Sequence, residues 1–176
     1  MFPPIAAAAA AFAFPALMLV AAAKDATSFT IPNRISVALL GLFPLAAFAA
    51  GLPLETMAVH LAVGFAGLVA GMVMFSLRWV GGGDAKLFAA AALWLGWPAV
   101  MTFVLAAAVA GGALAMALLT ARSTLVRPIM LMGPSWVARL AEPGESVPYG
   151  VAIAAGALWA LQASPFAAVL ARAGGL

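Results

Sequence analysis

The sequence predicts an all-α integral membrane protein, a bundle of about six transmembrane helices forming a single membrane-embedded domain over residues 1–176. Three observations carry this. Of the 176 residues, 67% are hydrophobic and only 7% charged, against about 45–50% and about 25% in an ordinary soluble domain. So few polar side chains cannot cover a water-facing surface. The mean hydropathy is +1.19, and the apolar residues fall in runs near the length, about 20 residues, that a helix needs to cross hydrocarbon.

The first span runs from about Pro3 to Ala23 and carries no charge. A polar break, Lys24 to Arg34, separates it from a second span, Ile35 to Ala50, closed by Gly51-Leu52-Pro53. The third runs from Met57 to Leu77 and ends at Arg78. After Gly81-Gly82-Gly83-Asp84, the apolar run from Leu87 to Ala121 would be about 52 Å long as one helix, far more than a core of about 30 Å needs. Gly96-Trp97-Pro98 interrupts it, and Pro is best tolerated at a helix start. The run is therefore read as a fourth span ending near Trp97 and a fifth from Pro98 to Ala121. The last span covers Val147 to Leu170, and in the long polar loop before it Ser135–Leu140 is expected to cap and form a short interfacial helix.

Charge placement supports six. With six spans, Lys24, Arg34, Arg78, Lys86, Arg122, Arg127 and Arg139 share one face and only Arg172 faces the other. Lys and Arg accumulate on the cytoplasmic side, which puts both termini outside. No basic residue precedes the first apolar run, so it is expected to stay as an anchor and not to be removed as a signal peptide. A pI of about 10.2 does not imply nucleic acid: the net charge is +3, with no basic run. The absence of cysteine excludes disulfides, thiolate metal sites and cysteine nucleophiles.

The chain has only two aspartates, Asp25 after the first span and Asp84 before the fourth. Both fall at the basic ends of helices, where an ionisable group is costly and marks a functional candidate. Two carboxyls within hydrogen-bonding distance cannot both ionise, so the pair holds one proton near neutral pH. Such a dyad activates water: the ionised member takes a proton while the neutral member protonates a carbonyl oxygen. That hydrolysis calls for no metal and no cofactor. The single His, and the lack of HExxH and GxSxG patterns, leave no rival chemistry.

Gly81-Gly82-Gly83-Asp84-Ala85-Lys86-Leu87 resembles the G-x-G-D-x-K-L stretch of type IV prepilin peptidases. Asp25, followed by Ile31-Pro32-Asn33, is similar to that family's first aspartate and its I-P-N element, and Pro148-Tyr149-Gly150 resembles a P-Y-G element near the family's C-terminus. The resemblance covers roughly residues 15 to 160. It implies a GxGD-type membrane aspartic peptidase with Asp25 and Asp84 catalytic, acting on prepilins in the bacterial inner membrane with its site facing the cytoplasm. Lacking the cysteine-containing methyltransferase domain of the larger members, the chain looks like the short form associated with Flp/Tad-type pili. Other pilus-assembly proteins are implied as further partners.

Around this core, Gly81 and Gly83 are expected to leave room for a substrate backbone. Lys86, in the same active-site loop, is read as a snorkelling anchor, the alternative being contact with an acidic residue of the substrate. Pro32-Asn33 is read as the start of the second helix, with Asn33 capping it, the alternative again being a substrate contact. His60 is expected at the outer interface near Glu55. Gly67-x-x-x-Gly71 is expected to pack another helix of the same chain, and Trp79, Trp97 and Trp136 to anchor at the lipid boundary. Two readings stand beside the peptidase: a small transporter and a non-catalytic pilus-assembly scaffold. A transporter would bury ionisable groups near the midplane, whereas both aspartates fall at helix ends.

Overall fold

A computed structural model describes residues 4–173; Pro3, the expected first residue of the first span, lies outside them. Helix α1 is Pro4–Ser28, α2 Asn33–Ala49, α3 Leu54–Ser76, α4 Gly82–Leu95 and α5 Ala99–Ala121. Two short helices follow, α6 (Arg127–Met130) and α7 (Ser135–Leu140), then α8 (Tyr149–Ala160), a 3-10 turn at Leu161–Ala163, and α9 (Pro165–Ala173). Among the described residues there is no strand, so the all-α class holds. Outward-facing residues such as Phe65, Leu105 and Val109 are 69%, 69% and 73% exposed. Apolar side chains in that number are stable on a surface only in lipid.

The count of full spans is smaller than six. Three helices are long and apolar enough to cross: Ala7–Ser28, Leu54–Ser76 and Ala99–Ala121. The last expected span, Val147 to Leu170, is broken at Ser164, where α8 and α9 diverge by 79°, so it supplies at most a fourth. Helix α2 has 17 residues and α4 only 14, the latter about 21 Å long. The reason lies in burial. From Leu87 to Leu95 all but Phe88 of α4 is buried in protein, so the helix has little lipid surface to match to the bilayer thickness.

Other boundaries follow physical signals. The run from Leu87 to Ala121 splits at Gly96-Trp97-Pro98 as expected. The first helix, however, runs past Ala23 to Ser28, because the Thr27 and Ser28 hydroxyls donate back to the Ala23 and Lys24 carbonyls at 2.7 and 2.6 Å. That places Asp25 on the last turn of α1 and not in the polar break. The helix at Ser135–Leu140 forms, but Ser135 makes no capping bond and Pro134 precedes it.

Helix α3 lies against α4 along its glycines. A Cβ at Gly64, Gly67 or Gly71 would stand 2.8, 2.9 or 2.9 Å from Leu93, Ala92 or the Ala85 carbonyl. The expected GxxxG contact is therefore internal. Beneath it, Trp94 stacks on Phe14 at 5.3 Å and meets Phe166 at 5.1 Å, and its indole N–H donates to the Leu39 carbonyl at 2.8 Å. A cluster of aromatic rings thus fills one end of the bundle. At the other end gather the C-terminal ends of α1, α3 and α5 with the N-terminal ends of α2, α4 and α8. Both aspartates belong to this second end.

Candidate active site

Helix α4 begins with two glycines and reaches Asp84 in its first turn. There Asp84 Oδ2 accepts the Gly81 N–H at 3.1 Å, one of the donors a helix start leaves without an intrahelical partner. The carboxyl is pinned by its own helix. Gly71 of α3 faces Ala85, and α3 then continues to Ser76, about 7 Å farther. Asp84 therefore lies roughly one turn below the end of α3. It is 9% exposed, and its Oδ1 is buried with no protein hydrogen-bond partner.

Asp25 comes from α1 and is 5% exposed. Its Oδ2 accepts the Gly150 N–H at 2.6 Å across 125 residues of chain. Gly150 is in the first turn of α8, where N–H groups point outward and the helix dipole favours negative charge. The approach demands glycine: a Cβ at Gly150 would be 2.7 Å from Ile31 Cδ1 and 2.8 Å from Asp25 Oδ2. Ile31 also lies against Gly83, whose Cβ would be 3.2 Å from its own. One isoleucine side chain thus separates and positions the starts of α4 and α8.

The Asp84 carboxyl acts coulombically on Asp25. Burial pushes the Asp84 carboxyl above the ordinary carboxylate range, partly offset by the Gly81 and Gly150 N–H groups. Asp25 and Asp84 line one cavity of about 710 Å³ together with Phe29, Arg78, Trp79 and Tyr149. Two residues of its wall, Phe29 (φ 53°) and Arg78 (φ 60°), hold the left-handed conformation that non-glycine residues avoid. Such strain is commonest at functional sites.

A sequence model of the type IV leader peptidase family matches residues 12–116, a stretch that includes both aspartates. The chain belongs to the type IV leader peptidase family. No curated protein and no solved structure matches it. The matched stretch ends before Pro148-Tyr149-Gly150, so it is the fold that connects this third element to the leader peptidase motifs.

Of the residues singled out from the sequence, Asp25, Ile31, Gly83, Asp84, Tyr149 and Gly150 meet at the cavity or directly behind it. Gly81 donates to Asp84 and forms part of the wall. Pro32 and Pro148 precede the first residues of α2 and α8. Asn33 does not cap α2. Its side chain instead accepts a hydrogen bond from Lys86 Nζ at 2.9 Å, on the exposed surface, because Asn33 is already inside the first turn. Lys86 thereby ties α4 to α2 and lies outside the cavity wall.

His60 is not at the outer interface. It is 1% exposed, bonded through Nδ1 to the Leu93 carbonyl at 2.7 Å and stacked on Phe43. Phe29, Phe75, Arg78 and Val147 of the cavity wall had no sequence signal beyond proximity to the motifs. Arg139 of α7 lies 4.8 Å above the Phe29 ring and pairs with Glu145, fixing the loop over that wall. Among the described residues, no three His, Asp or Glu side chains gather as metal ligands would.

Proposed function

We propose that the chain is a membrane aspartic endopeptidase that removes the short leader of Flp/Tad-type prepilins at the cytoplasmic face of the bacterial inner membrane, with Asp25 and Asp84 as its catalytic pair. The observation that supports this reading most is that the two aspartates share one cavity at one end of the bundle. The cationic residues Lys24, Arg34, Arg78, Lys86, Arg122, Arg127 and Arg139 lie at or beyond the helix ends on that same side, which is the cytoplasmic signature of a membrane protein. The single domain spans the chain.

Two carboxyls so placed hold a single proton and titrate as a unit. The ionised member takes a proton from water as its oxygen attacks the scissile carbonyl carbon, and the neutral member gives its proton to the carbonyl oxygen. In the collapse of the tetrahedral intermediate, the first member passes its proton to the leaving nitrogen. The second recovers one from the diol as the C–N bond breaks. The pair ends as it began. The Gly150 and Gly81 N–H groups hold the negative charge that remains on it throughout.

The test is cleavage of a tagged prepilin in membranes by the parent, Asp25→Asn and Asp84→Asn. Each substitution keeps size and removes the ionisable group. Either alone is expected to lower cleavage by about 10²–10⁴-fold, the usual worth of a general acid or base. Cleavage that persists with both changed refutes the dyad.

A further inference from the structure

The second cavity that touches an aspartate is a crevice of about 390 Å³ between α3, α4, α5 and α8. Asp84, Val80 and Tyr149 line both it and the first cavity, so the two are continuous at the carboxyl. The crevice descends from there along one face of α5 through Ala115, Gly112, Ala108 and Val104. That face is about 16 Å long, room for about eleven residues of a second helix at 1.5 Å each. Its floor is closed where Phe88 of α4 meets Phe103 of α5, with ring centroids 5.0 Å apart.

Three features identify an occupant. The lining is almost wholly apolar, which suits a side chain or lipid tail and excludes a polar peptide. Its small residues let another helix backbone come close, as helix pairs in lipid require; a Cβ at Gly112 would meet nothing within 4 Å. At its upper end stands Asp84, more than nine-tenths buried, with one carboxyl oxygen that has no hydrogen-bond partner. A chain entering the site from this crevice would pass from apolar helix to exposed peptide bond at that carboxyl. The other apolar groove, between α2, α3 and α4, ends at Lys86 and Asn33 and reaches neither aspartate.

We propose that the crevice between α4, α5 and α8 seats the apolar helix on the mature side of the scissile bond, so that the substrate is held through lipid-buried contacts as well as at its leader. This rests on the peptidase reading above. The helix contributes binding, and the cavity at Asp25 and Asp84 contributes the chemistry.

The chain is free of cysteine, so crosslinking is clean. A test substrate with a short basic leader ending in glycine and followed by an apolar helix is given single cysteines along that helix. It is combined in membranes with Gly112→Cys or Leu68→Cys enzyme, each also carrying Asp84→Asn so that nothing is cut. Crosslinks are expected at Gly112 with a helical period and not at Leu68, which lines the other groove. In the active enzyme, Gly112→Leu is expected to raise KM for this substrate about tenfold or more, the loss of roughly 1.4 kcal/mol. The kcat/KM for a soluble peptide covering the leader junction alone should stay within about twofold.

Crosslinking at Leu68 and not at Gly112 overturns the proposal, as does an equal loss on both substrates. Attachment at Gly112 of a photoactivatable acyl lipid alone, with substrate present, assigns the crevice to lipid and overturns it too. Helical crosslinks at Gly112 with an enzyme that cuts neither substrate uphold the docking site and defeat the peptidase reading. Cleavage without them does the reverse.

Discussion

The bundle buries titratable groups at both ends and treats them in opposite ways. At one end His60 is packed between Phe43, at 5.5 Å, and Phe166, at 6.2 Å between ring centroids. Its Nδ1 is bonded to Leu93, and Gly96 presses on it so closely that a Cβ there would be 2.5 Å from the ring. At the other end Asp25 and Asp84 are nearly as buried, yet they arrive from different helices at a cavity of about 710 Å³. Among these titratable groups, His60 Nε2 and Asp84 Oδ1 are both buried without a partner. Burial and an orphaned atom do not distinguish a site from a core. Convergence of two ionisable groups on space that a substrate can enter does.

The sharpest way to break this contrast is to alter each end in turn. Asp84→Asn is expected to lower cleavage by at least about 10²-fold while leaving thermal unfolding unchanged or raised, since a buried carboxyl becomes neutral. His60→Phe is expected to do the opposite. It should unfold earlier, having lost about 1–3 kcal/mol through the bond to Leu93, with cleavage per folded molecule within about twofold. Parallel calorimetry and cleavage assays read both outcomes.

Gly150→Ala comes next. Its new methyl must displace Ile31 or Asp25, pulling the N–H off the carboxyl. A hydrogen bond to a charged group is worth about 1.5–3 kcal/mol, so cleavage should fall about 10- to 100-fold with the helices intact by circular dichroism.

The pH profile sharpens the comparison further. With the Asp84 carboxyl raised by burial, the pair keeps its shared proton above the ordinary carboxylate range. Cleavage should therefore decline as pH rises through that higher value, where the general acid is lost, and also at low pH, where a second proton removes the base. Displacing an N–H that favours the charged form moves the alkaline limb upward, so Gly150→Ala should shift it to higher pH. His60→Phe should leave the profile in place. The smallest effect belongs to Lys86→Ala. Its bond to Asn33 is exposed, and such contacts contribute well under about 1 kcal/mol, so cleavage should change less than about threefold.

Much of the site was legible in the sequence because the residues are scarce. Two aspartates in a chain with 7% charge stand out, and the glycines before Asp84 mark a helix start where a backbone can come close. The membership of Pro148-Tyr149-Gly150 was legible, but its role was not: nothing local says that the Gly150 N–H will reach Asp25 across 125 residues. The span count exceeded the structure because hydropathy measures composition and not length after folding. Helix α4 is as apolar as a span from Leu87 onward, yet it ends at Leu95 and is buried by α3 and α8. His60 was misplaced for a related reason. Its position along α3 fits the lipid boundary, whereas its rotation about the helix axis, which turns it inward to Leu93, depends on packing that no local pattern encodes.

The measurement that tests the central claim most directly uses the cysteine-free background. Asp25→Cys and Asp84→Cys are introduced together and treated in native membranes with a short bifunctional thiol reagent, with Asn33→Cys and Lys86→Cys as the positive pair, whose side chains touch, and Asp25→Cys with His60→Cys as the negative pair. The account predicts that the two former aspartates are bridged as efficiently as the positive pair. Bridging no greater than in the negative pair, while the positive pair reacts, would contradict it.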